Sequence, residues 1–224
     1  FVMSENGKSE RPQNRTDATT SGRSMVEMLG VLAIIGVLSV GAMSGYSKAM
    51  MKYKLNKQTE QISTILNNTL LYVGEFNTSP GSIISPLIKL GAIPENMIRG
   101  TDNNPTLYDV FDNRLSVNYY IDGNSRFYGI QYVINNSDYN LDACRNIIKA
   151  VKENAADLWH INMYKTLEDG EVNIEGQTYG DRYCNPNNQN TPCLRHMGIM
   201  EIDNFCHYCQ QDRCYLGILF GYNG

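Results

Sequence analysis

The feature that most constrains this chain is an uncharged run from Met28 to Tyr46. Glu27 stands immediately before it, and Lys48 is the first charge after it. As a helix, these nineteen residues rise about 28 Å, close to the roughly 30 Å hydrocarbon thickness of a bilayer. Residues 1–22 are polar and net neutral, with Lys8, Arg11 and Arg15 set against Glu5, Glu10 and Asp17. A cleaved secretory signal has a basic start, a shorter apolar region and a small-residue cleavage site behind it. None of these is found here. A one-pass anchor fits the length but leaves Glu27 unexplained, because a carboxylate at the edge of lipid is costly and usually has a partner.

The remaining composition narrows the function classes. A chain of 224 residues accommodates one domain with an appended segment. The formal charge of -4, with no long basic run, argues against nucleic acid as the primary partner. The six cysteines, Cys144, Cys184, Cys193, Cys206, Cys209 and Cys214, all follow the apolar run. That distribution reads as disulfides formed in an oxidising compartment, with fifteen pairings possible. No GxSxG, HExxH or phosphate-binding glycine loop occurs. His160, His196 and His207 match no catalytic signature, so no catalytic residue, metal or cofactor is expected. The first residue is Phe1, and Met3 is an alternative start that would shorten the leader by two residues.

Gly22, then Arg23-Ser24-Met25-Val26-Glu27, then an apolar helix, resembles the class III signal of type IV prepilins. The resemblance implies cleavage by a prepilin peptidase between Gly22 and Arg23, which makes Glu27 the fifth mature residue. It implies a leader over 1–22, a membrane and filament-core half-helix over 23–46, and a globular head over 47–224. It further implies a precursor held in inner-membrane lipid, handled by a pilus assembly machinery and polymerised into a helical homo-oligomer, the extracellular pilus. In such a bundle, Glu27 would neutralise the new amino terminus of a neighbouring subunit. A mismatched register would leave both charges unpaired. Two departures from the family pattern stand out. Arg23 occupies the first mature position, one helical turn before Glu27 and able to pair with it. The helix also lacks a late proline; Gly36, Gly41 and Gly45 are its loosening residues, and Gly41 and Gly45 have GxxxG spacing.

Ile62, Leu66, Leu70 and Val73 recur at helical spacing, which extends the helix to Val73 with Gly74 as its stop. Residues 75–114 read as a connecting region rich in turn formers, with a short helix over 85–90. The segment "LIKLGAIPENMI" within it resembles type IVb pilins. Leu115–Ile121 and Arg126–Ile134 alternate as strands around the "DGNS" turn. A second helix is expected over 139–157, with Asp138 or Asn140 near its cap. Trp159–Lys165 and Val172–Tyr179 are strands joined through "EDGE", and Tyr215–Phe220 is a last, buried strand. The fold class is therefore α+β: a long N-terminal helix on a mostly antiparallel sheet, with a disulfide-bonded C-terminal region.

Cys184 and Cys193 flank a polar loop that a disulfide could close. The pilin resemblance implies that Cys144 pairs with Cys206, Cys209 or Cys214. Two other readings of "CHYCQQDRC" stay open: a zinc site with His196 or His207, and a Cys206–Cys209 redox pair. The functional expectation is a pilus subunit for adhesion, aggregation, motility or DNA uptake. The alternatives are a minor pilin or type II secretion pseudopilin, and a membrane-anchored periplasmic thiol or zinc-binding domain.

Overall fold

A computed structural model of the chain describes residues 25–76, 79–135, 137–166, 171–209 and 213–221. It is α+β, with two compact units, Phe1–Ser47 and Lys48–Gly224. Helix α1 (Met25–Leu71) is continuous for 47 residues, about 70 Å. It ends two residues before the expected Val73. Tyr72 to Glu75 form tight turns, Gly74 takes φ +92°, and the Gly74 N–H donates to Tyr128 Oη at 2.9 Å. A left-handed residue at this point is a helix stop that glycine tolerates without a Cβ penalty.

The sheet has eight strands, and every strand pairing is antiparallel. Its order is β2 (Ile98–Thr101), β3 (Asn104–Tyr108), β4 (Arg114–Asp122), β5 (Ser125–Ile134), β8 (Cys214–Phe220), β6 (Leu158–Thr166), β7 (Val172–Tyr179), and the two-residue β1 (Gly81–Ser82) also pairs with β4. The β4–β5 hairpin turns through Gly123-Asn124, with Gly123 at φ +57°, as a tight hairpin turn requires. The last strand, β8, is interior, paired on both edges by β5 and β6, and its apolar residues are mostly buried.

Three expectations are corrected. The region read as a connector, 75–114, holds the expected short helix as α2 (Ile84–Lys89), but it also holds β1, β2 and β3 and a 3-10 turn at Glu95–Met97, which were not expected. Its turn formers mark hairpin tips: "TDNNPT" folds β2 back on β3. Helix α3 (Asn140–Lys152) stops short of 157 because the Ala155 carbonyl accepts from Asp181 N–H, at 2.9 Å, instead of continuing the helix. Its N-cap is Tyr139 without a side-chain cap, and Asn140 Nδ2 instead donates to the Cys209 carbonyl at 2.7 Å. Residues 168–170 of the "EDGE" connection lie outside the described residues.

One core joins Ile62, Ile65 and Leu66 of α1, the inner sheet face (Val117, Ile130, Ile218) and Ile147, Ile148 and Val151 of α3. His160 of β6 is buried between the Trp159 and Tyr179 rings, and its Nδ1 has no hydrogen-bond partner among the described residues. Burial holds its imidazole down to about 4. The unfolded chain takes this proton near 6.5, so below that pH the unfolded state binds more protons. Stability present above pH 6.5 is therefore lost as pH falls toward 4, by up to about 3 kcal/mol. Urea melts of wild type and His160→Phe across this range should show the variant lacking that share of the acid slope. Identical slopes would remove His160 as the cause.

Candidate assembly site

The first unit presents an apolar rod. Glu27 lies in the first turn of α1, and the helix is long and apolar enough to cross a membrane. Its most apolar 18-residue window is wholly unburied within the structure. Leu38, for example, is 67% exposed. A Cβ placed on Gly30, Gly36, Gly41 or Gly45 would meet nothing within 4 Å. Each glycine costs a helix about 1 kcal/mol relative to alanine, yet no neighbour in the described chain requires any of the four. Gly22 and Arg23, where the prepilin resemblance implies cleavage, lie outside the described residues.

In the second unit, the same helix is fixed by a polar lock that sequence reasoning missed. Gln61 and Gln58 are buried one and two turns, respectively, before Ile65. Gln58 Nε2 donates to Asp109 Oδ2 at 2.7 Å, and Asn146 Nδ2 of α3 donates to Gln58 Oε1 at 2.9 Å. Val110 N–H donates to Gln61 Oε1 at 3.0 Å. Asp109 also accepts from the N–H groups of Phe111 and Asn113 and from Asn113 Nδ2. Burial raises its carboxyl above the usual range, against the pull of these hydrogen bonds. The lock joins helix, sheet loop and α3 with directional bonds, so it fixes the register of α1 on the head in a way that an apolar stripe alone does not. The signal was present in the spacing. Gln58, Gln61, Ile62, Ile65, Leu66 and Thr69 continue one helical face, and two amides on that face imply buried partners.

The C-terminal region is fixed covalently. Cys144 of α3 pairs with Cys206 of α4 (Ile199–His207), Cys184 with Cys193, and Cys209 with Cys214. Of the three partners left open for Cys144, the structure takes Cys206. Cys206 and Cys209 do not pair with each other, and every cysteine is bonded, so no thiolate is left for zinc or for a redox couple in this state. Around the Cys144–Cys206 bond, Arg145 Nε donates to Asp203 Oδ1 at 2.6 Å and Lys152 Nζ to the Met197 carbonyl at 2.6 Å. His207 accompanies Asp203 on α4, its Nδ1 lying 2.9 Å from the Asp203 carbonyl oxygen, and His196 lies in a 3-10 turn. Helix α4 itself was not expected. Its apolar positions Ile202 and Phe205 are interleaved with the cysteine motif, which hides the helical period.

The chain matches no protein-family model, no curated protein and no solved structure.

Proposed function

We propose that this chain is a type IVb-like prepilin, cleaved after Gly22 and polymerised through α1 into a surface filament. The observation that carries the reading is the combination at the amino-terminal end: Gly22, then Glu27 five residues on, then an uninterrupted apolar helix. Two features of the fold support it. The unburied half of α1 carries four glycines that nothing in the described chain requires, which suits close packing by other helices. The other half of the same helix is locked to the antiparallel sheet domain, which suits a subunit with a filament core and a surface head. On this reading the precursor resides in the inner membrane and the mature subunit in an extracellular pilus. The partners are further copies of the chain, the prepilin peptidase and the assembly machinery.

Mass spectrometry of the amino terminus tests it, on sheared surface material and on membranes from the same cells. Mature chain beginning at Arg23 in the sheared fraction is the expected result, and the same spectrum reports any N-methyl group. Chain found only in membranes, with the leader intact, would overturn the reading in favour of a one-pass anchored domain.

A further inference from the structure

The outer sheet face carries a second set of features, apart from helix α1. In the strand register, Ser116, Gln131, Gly217, Asn162 and Gln177 lie abreast across β4, β5, β8, β6 and β7. This is a polar stripe on a face whose opposite side is core. The glycines on this face make room for side chains to lie flat. A Cβ at Gly217 would collide with Asn162 Oδ1, and one at Gly129 would press on the Tyr120 ring at 3.0 Å. Between them is a trough of about 250 Å³, flanked by Tyr120 and Tyr164. Asn162 Oδ1 has no hydrogen-bond partner among the described residues. Tyr164 stacks on Tyr215, with centroids 5.1 Å apart, and its hydroxyl accepts from Gln131 Nε2.

Gln131 also lines a second cavity of about 440 Å³, next to the first. Arg114 and Arg213 stand on it, both exposed, and neither has an ion-pair partner among the described residues. The nearby Asp112 is engaged by Arg99. Neither cavity is lined by a carboxylate among the described residues, on a chain whose net charge is -4.

We propose that this face binds an acidic saccharide, with a sugar carboxylate at Arg114 and Arg213 and the adjoining neutral ring in the tyrosine-flanked trough. Guanidinium forks match carboxylates bidentately. Tyrosine offers an apolar ring face with a polar tip, and the Gln131 amide, which lines both cavities, offers a donor and an acceptor to hydroxyl groups. The charge lies at one end of the surface only. A nucleic acid strand would call for cations tracking successive phosphates, whereas a single anionic group followed by a neutral polyol matches what is present. The proposal concerns the head alone and holds whether or not the chain polymerises.

Calorimetric titration of the detergent-solubilised full chain tests it. The acidic probes are 3′-sialyllactose and a tetragalacturonate; lactose, maltotetraose and a dT12 oligonucleotide are the comparisons. Binding of at least one acidic saccharide is expected, with its neutral counterpart at least about tenfold weaker. Arg114→Gln and Arg213→Gln should each weaken the acidic probe by about tenfold or more, in line with loss of a charged hydrogen bond. Both sites are exposed, so the variants should fold, and unchanged far-ultraviolet circular dichroism would establish that they do. Silence of both acidic probes, affinity unmoved by either arginine variant, or tighter binding of dT12 would each overturn the assignment.

Discussion

Glu27→Ala chains should lose their leader at the wild-type rate and yet yield less than about a tenth of the wild-type surface filament. On the proposed reading the two steps separate, because cleavage would read the residues at Gly22 whereas Glu27 would act only when helices meet. In the proposed filament each new amino terminus is a cation among apolar side chains. Removing its counter-charge leaves that cation buried and uncompensated, at a cost of about 3–5 kcal/mol. Even half of that loss at each subunit addition exceeds about a factor of ten. Arg23 makes the experiment more informative, since it is four positions before Glu27 in the sequence and, in the proposed filament, would compete for the same carboxylate. Arg23→Ala, combined with intact Glu27, should raise filament yield or leave it unchanged. Immunoblots of leader processing beside quantified sheared pili measure both steps. Wild-type filament yield from Glu27→Ala would show that register is set elsewhere, with Gly41 and Gly45 the next residues to test.

The parts of the fold legible in the sequence were those whose cause is local. The β4–β5 hairpin is written as alternation around Gly123-Asn124, and α1 as an apolar run followed by a stripe at helical spacing. What stayed hidden depends on distant partners. Gln58 reads as a surface residue until Asp109, 51 positions away, is placed beside it. Strands β1, β2 and β3 are two, four and five residues long, too short for a period to emerge among so many turn formers. Phe220 is recognisably apolar, but that β8 enters between β5 and β6 follows only from the packed sheet. The candidate assembly site divides in the same way. Gly22, Arg23 and Glu27 are a linear motif, whereas the reason for Gly30, Gly36, Gly41 and Gly45 is not found in one chain.

Loss of the Cys144–Cys206 bond should destabilise the head more than loss of either other disulfide, and loop length decides the order. In the chain-entropy account, closing the 62-residue separation restrains the unfolded chain by about 4 kcal/mol, against about 2.6 and 2 kcal/mol for separations of 9 and 5. The long loop also contains β6, β7 and the other cystine loop, Cys184–Cys193, so its restraint brings together the two helices that flank those elements. Arg145–Asp203 holds the same α3–α4 contact without a covalent bond, and Lys152 of α3 bonds the Met197 carbonyl in the segment just before α4. The double variant Cys144→Ala/Cys206→Ala should therefore still fold, at a denaturation midpoint well below wild type. Replacing both cysteines avoids a stray thiol that would otherwise scramble with the remaining pairs. Paired variants at 184/193 and 209/214 supply the comparison in one urea series. If the 209/214 pair proved the most damaging, entropy of the unfolded chain would not be the main effect. The short bridge would then act in the native state, by anchoring the entry of the interior strand β8 to the end of α4.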